Sequence, residues 1–120
     1  MTSRVVATVF DCRDAEALAA FWCSALGYQV NRRWRDPYGI EYVEAGAGDV
    51  PPLLFYPVTD RKQAKNRVHL DLRPAGPQYD EVARLVALGA RVVADDPKQT
   101  WVVMHDPEGN EFCVLPPTTS

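Results

Sequence analysis

Two runs of β-type residues place four chemistry-bearing side chains at strand spacing. His69 and Asp71 lie in Arg67 to Leu72, and Glu111 and Cys113 lie in Glu111 to Leu115. Alternation along a strand sends every second side chain to the same face. Arg67, His69, Asp71 and Arg73 therefore share one face, and so do Glu111, Cys113 and Leu115. A histidine with an ordinary pKa near 6.5 suits proton transfer or metal ligation. A catalytic zinc wants three protein ligands and an open position, so a divalent-metal reading would draw on His69, Cys113 and Glu111, with Asp71 in reserve. The preferred reading is a cavity histidine hydrogen-bonded to Asp71 or to a ligand. No nucleophile is paired with His69 in the sequence, which ranks general-base catalysis behind ligand binding. Cys113, on a half-buried strand, reads as a small inert hydrophobe before a reactive thiol.

Trp34, Tyr42, Phe55, Tyr56 and Trp101 could wall an apolar pocket around those polar groups, the usual make-up of a small-molecule site. The expected site is thus His69, Asp71, Trp34, Phe55, Tyr56, Trp101, Glu111 and Cys113. It would take a small, partly apolar or aromatic molecule with no metal cofactor, and a divalent metal is the alternative. Phe21 and Trp22 read as core, as do Cys12 and Cys23. Arg32, Arg33 and Arg35 read as a solvated strand edge, His105 as turn-supporting, and Asp106 with Gly109 as turn geometry.

The elements that must hold these residues follow from periodicity and punctuation. Val5 to Asp11 reads as a strand. Asp14 is an N-cap signal with Glu16 in the first turn. Leu18, Phe21, Trp22, Ala25 and Leu26 make one helical face, and Gly27 ends the helix. Tyr28 to Arg35, Gly39 to Glu44 and Leu53 to Tyr56 read as strands, the first two joined by the type I turn signal Asp36-Pro37-Tyr38-Gly39. Pro57 to Asn66 is polar and reads as a linker. The order then repeats. A strand covers Arg67 to Leu72. A helix covers Pro77 to Leu88, with Tyr79, Val82, Leu85 and Val86 on its apolar face. Strands follow at Arg91 to Ala94, Trp101 to Met104 and Glu111 to Leu115, the last two joined by Asp106-Pro107-Glu108-Gly109.

The repeat can be stated in residues. Ala25-Leu26-Gly27 and Ala87-Leu88-Gly89 superpose at an offset of 62, the distance from Gly27 to Gly89. The same offset sets Val6 on Val68, Ala7 on His69 and Phe10 on Leu72. The strands after the helices are expected to lose it. The chain therefore reads as one α+β domain, 1–120, made of two βαβββ modules, about 4–58 and about 67–117, with a linker at about 59–66. Val68, Leu70, Leu72, Phe112 and Val114 should face a helix. Ala7, Val9 and Asp11 should face the cavity side.

Composition narrows the partners. Of 120 residues, 47% are hydrophobic and 24% charged, an ordinary globular balance. A net charge of −3 argues against a nucleic-acid or anionic-membrane footprint. With no apolar run of spanning or signal length, a cytoplasmic location is expected. Three cysteines without a Cys-x-x-Cys pair suggest neither a disulfide framework nor a zinc knuckle. Exposed sheet edges invite a homodimer.

Asp14 through Tyr28, with its Phe-Trp and Leu-Gly-Tyr, resembles the first helix of the vicinal oxygen chelate superfamily. Lys65 through Leu72 and Trp101 through Leu115, with Asp-Pro-Glu-Gly-Asn-Glu-Phe-Cys-Val-Leu, resemble its glyoxalase-like subgroup. The resemblance implies an incompletely closed, curved sheet of eight strands around a cavity. In metal-holding members it implies a ligand from the first strand, commonly His, and one from the last strand, commonly Glu, of each module. Carried onto this chain, those positions are Ala7, His69, Cys113 and a residue near Phe55 or Tyr56. His69 alone has the usual type, which favours metal-free binding, for instance sequestration of a toxic or antibiotic compound. A metal-dependent lyase, isomerase or dioxygenase is the alternative, and a ligand-free structural homodimer the third reading.

Overall fold

In the computed structural model, which describes residues 1–118, the chain divides into two compact units, Met1–Arg61 and the chain from Lys62 onward. The division falls inside the expected linker. Unit one, here module one, contains β1 (Thr8–Cys12), α1 (Ala15–Leu26), β2 (Gln29–Arg35), β3 (Glu41–Gly46) and β4 (Leu53–Pro57). Module two repeats the order with β5 (Leu70–Leu72), α2 (Gln78–Leu88), β6 (Arg91–Ala94), β7 (Val102–His105) and β8 (Glu111–Val114). The fold is α+β, and its eight strands form two four-stranded mixed sheets, ordered β1-β4-β3-β2 and β5-β8-β7-β6. No helix among the described residues is long and apolar enough to cross a membrane.

The duplication runs further than the helices. The offset of 62 also links the first residues of β1 and β5, Thr8 and Leu70, and of β2 and β6, Gln29 and Arg91. Each of the latter two strands carries an irregularity, between Val30 and Arg32 and between Val92 and Ala94, again 62 apart. The offset thus survives one strand longer than expected. It is lost where β2 runs to seven residues and β6 stops at four.

Both first strands are shorter than their β-type runs, for reasons of pairing. In the parallel register Thr8 lies beside Leu53, so Val6 and Ala7 would face Pro51 and Pro52, which have no N–H to give. In module two Leu70 lies beside Phe112, so Val68 would face Asn110. The Asn110 N–H already donates to Asp106 Oδ1 at 3.0 Å. Val68 is therefore 77% exposed and does not face a helix.

The cores differ in substance. In module one Asp14 caps α1, accepting from the Ala17 N–H at 3.0 Å, and Gly27 ends it at φ 70°, a left-handed geometry suited to glycine. The helix buries Leu18, Phe21 and Trp22. Trp22 meets Phe10 and Phe21 edge-on at 5.9 and 5.1 Å, and Phe10 meets Phe55 at 5.5 Å. Such aromatic contacts add about 1 kcal/mol each to the burial itself. In module two α2 buries Val82 and Leu85. Tyr79 and Val86, expected on that face, are exposed, and the Tyr79 hydroxyl instead donates to Asp95 Oδ1 at 2.9 Å. Phe112 and Val114 of β8 are buried as alternation requires.

Candidate functional site

On the face of module two away from Phe112 and Val114, β5, β8 and β7 place Asp71, Cys113 and Val103 in one cross-strand row. That row lies in a concavity of about 380 Å³, with Lys65, His69, Trp101, Glu111 and Leu115 completing the wall. Five of the expected site residues, His69, Asp71, Trp101, Glu111 and Cys113, thus share one concavity. Lys65 and Val103 join them from outside the expected set. Alternation along β7 could have found Val103, but nothing in the irregular segment before β5 signals Lys65.

Asp71 is the hub of the polar cluster. His69 Nε2 lies 3.2 Å from Asp71 Oδ1. Burial pushes the Cys113 thiol up, and the Asp71 carboxylate, which accepts its hydrogen bond, pushes it further. The cysteine is therefore held as a neutral thiol, the reverse of what a nucleophile needs. This favours the inert reading of Cys113.

Glu111 has a different job. Lys62 Nζ lies 2.9 Å from Oε1, and the Asn66 N–H donates to Oε2 at 2.9 Å. Burial alone would raise this carboxyl, but these partners outweigh it and hold it at about 2. Glu111 fastens the segment before β5 to the first residue of β8, and it stands outside the cluster of donors that converge. That cluster is His69, Asp71 and Cys113, each offering one ligand atom within 4.8 Å of the others. Of the four donors expected on this face, His69, Asp71 and Cys113 converge and Glu111 does not join them.

The remaining expected residues lie in module one. Trp34 and Tyr56 belong to a ladder: Trp34 stacks on Tyr42 at 4.8 Å and 13°, and Tyr42 meets Tyr56 at 4.7 Å. Phe55 is a correction. It is fully buried against Phe10, beneath α1. Adjacent strand residues point to opposite faces, so Phe55 and Tyr56 cannot line one wall. A second concavity, about 600 Å³, adjoins Tyr56 and includes Arg13, Glu41 and Asp60.

Register also fixes which module-one residue matches each donor in its own sheet. Because Val9 pairs with Leu54 as Asp71 pairs with Cys113, the counterpart of Cys113 is Leu54, not Phe55 or Tyr56. The counterparts of His69 and Asp71 are Ala7 and Val9. None carries a donor atom. Module one therefore supplies no metal ligand at these positions.

The family of glyoxalase-like domains matches residues 7–115. The chain belongs to that family. With it comes membership of the vicinal oxygen chelate superfamily, in agreement with solved structures. A trypanothione-dependent glyoxalase I of Leishmania major superposes with a TM-score of 0.78 at 20% identity, covering 97% of this chain and 88% of that one. The fosfomycin resistance protein FosX of Mesorhizobium loti gives 0.76 at 14%, covering 99% and 94%. A FosX mutant of Listeria monocytogenes, complexed with Mn(II) and a dihydroxypropylphosphonic acid, gives 0.73 at 15%, covering 99% and 96%. At these identities the likeness establishes the fold of this glyoxalase-like protein. No curated protein gives a significant sequence match.

Proposed function

We propose that this glyoxalase-like protein binds a small, partly apolar or aromatic molecule in the module-two concavity, without a metal. The observation that carries the reading is the wall itself. Trp101, Val103 and Leu115 supply apolar surface, and His69 and Asp71 supply a hydrogen-bonding corner, in a space of about 380 Å³. That volume and make-up suit a ligand of one or two rings. Trp101 is 40% exposed and can stack on a ring while remaining anchored to the sheet. The thiol of Cys113, held neutral, contributes shape and polarisability rather than reactivity.

Screening a compound library by tryptophan quenching tests this directly. A hit should lose about tenfold in affinity on His69→Ala, the scale of one hydrogen bond to a group with charge character. Unchanged affinity in both His69→Ala and Trp101→Ala would remove the concavity from the reading. Silence across a broad library would favour a purely structural homodimer, measured by sedimentation.

A second reading has one observation behind it: the convergence of His69, Asp71 and Cys113 within 4.8 Å. A remodelled one-module site for a divalent metal would support lyase, isomerase or dioxygenase chemistry. It predicts stoichiometric metal in the purified protein and a thermal upshift with Zn²⁺, Ni²⁺, Mn²⁺ or Fe²⁺ that Cys113→Ala abolishes. Metal-free protein with no upshift defeats it.

A further inference from the structure

We propose that module one carries a second binding site, an aromatic ladder that takes a small planar organic cation. The ladder crosses the sheet on the face opposite Phe55. Trp34 pairs with Tyr42 across β2 and β3, Tyr42 faces Tyr56 one residue beyond the Val43–Phe55 pair, and Tyr56 pairs with Asp11 on β1. Four strands thus present three rings in contact, Trp34 stacked on Tyr42 and Tyr42 tilted 43° against Tyr56, and end on a carboxylate.

Three features give the ladder its preference for positive charge. Aromatic faces attract cations through their quadrupole. One cation is already there: the Arg32 guanidinium sits 4.0 Å from the centre of the Trp34 ring. At the other end, the Tyr56 hydroxyl is flanked by the carboxylates of Asp36 and Asp11. The adjoining concavity holds the Arg13 guanidinium with two carboxylates, Asp60 and Glu41, the latter also 3.7 Å from Arg35. At the Tyr56 end an anionic ring would meet the Asp11 and Asp36 carboxylates, and a neutral ring would gain stacking alone. A planar cation gains stacking, quadrupole attraction and an ion pair together.

Module two lacks this arrangement at the matching positions. There Arg73 stands where Asp11 stands, and its Nη1 donates to the Pro116 carbonyl at 2.7 Å. Leu115 and Trp101 replace Tyr56 and Tyr42. The two modules therefore differ in the sign of charge their rows present.

The test compares N-methylquinolinium with quinoline, which is neutral at pH 7.5, by calorimetry on the full chain. The cation should bind about tenfold more tightly than quinoline, as a desolvated cation–π contact allows. Tyr42→Leu should weaken the cation about tenfold, and Asp11→Asn, at an exposed position, should narrow the cation preference about threefold. Melting curves verify that both variants are folded, and Asp11→Asn carries the test if Tyr42→Leu is not. Equal binding of the two probes, no binding of either, or a preference untouched by Asp11→Asn overturns the proposal. Loss of the cation on Trp101→Ala with Tyr42→Leu unaffected moves the ligand to module two. That outcome sinks the ladder and leaves the first reading standing.

Discussion

Module one and module two start their first strands, end their helices and place their strand irregularities at a constant offset of 62. What those matched positions carry is opposed. Where module two has His69, Asp71 and Cys113 on its open face, module one has Ala7, Val9 and Leu54. Where module one has Asp11, Tyr56 and Tyr42, module two has Arg73, Leu115 and Trp101. Helix-facing positions follow the same rule in both modules, because each sheet must bury one side. Open-face positions answer to no such rule and have diverged. The backbone plan is shared, and the chemistry is local to each module.

The comparison can be broken most forcefully at the cores. Trp22 is packed by Phe10 and Phe21, whereas its counterpart by offset is Arg84, held to Glu81 at 2.7 Å on the surface of α2. Trp22→Ala should cost about 3–5 kcal/mol in urea unfolding, and Arg84→Ala less than about 1 kcal/mol. Equal losses would mean that α1 and α2 are fastened alike.

The two Asp-Pro turns offer a finer contrast. Asp36 Oδ1 accepts the Tyr38 and Ile40 N–H groups, and Asp106 Oδ1 accepts those of Glu108 and Asn110, at 2.9 to 3.0 Å in each case. Asp36 is half-buried, but Asp106 is 3% exposed and also holds the Asn110 amide. Removing a buried acceptor strands its donors, so Asp106→Ala should cost about 2–3 kcal/mol and Asp36→Ala about 1 kcal/mol in the same assay.

Glu111 has no charged counterpart in module one, where register puts Pro52. Its depressed carboxyl contributes stability in full above about pH 4.5, and the contribution fades as pH falls toward about 2. Glu111→Gln should cost about 2 kcal/mol at pH 7 and flatten the acid limb of the stability profile across that window. A variant whose acid limb is unchanged would show that the Lys62–Glu111–Asn66 fastening is energetically silent.

The smallest expected difference is at the helix starts. Asp14→Ala should remove about 1 kcal/mol of stability. Pro77, the matching flank of α2, makes no side-chain cap bond, so Pro77→Ser should add up to about 1 kcal/mol. Opposite signs in thermal melts confirm that α1 is capped and α2 is not.

Much of this was legible in the sequence. Asp14 and Gly27 bound α1 because capping is a local matter of one hydrogen bond and one left-handed residue. The offset of 62 exposed the duplication, and alternation put His69, Asp71 and Cys113 on a common side. The misreadings also have causes. Aromatic type groups Phe55 with Tyr56 as a wall residue, although strand parity separates them. The runs beginning at Val5 and Arg67 have strand propensity, yet prolines and a turn-bound asparagine on the neighbouring strands deny them partners.

The order of elements, the helix ends, the turns and the period of each strand were therefore determined by the chain itself, since they rest on contacts between near neighbours. Tertiary structure decided the cross-strand rows. Asp71 meets Cys113 across 42 residues of sequence by the register of β5 on β8, and Glu111 meets Lys62 across 49. Register is set by the burial of whole faces and by which backbone groups remain free to pair, and neither quantity belongs to any single stretch of residues.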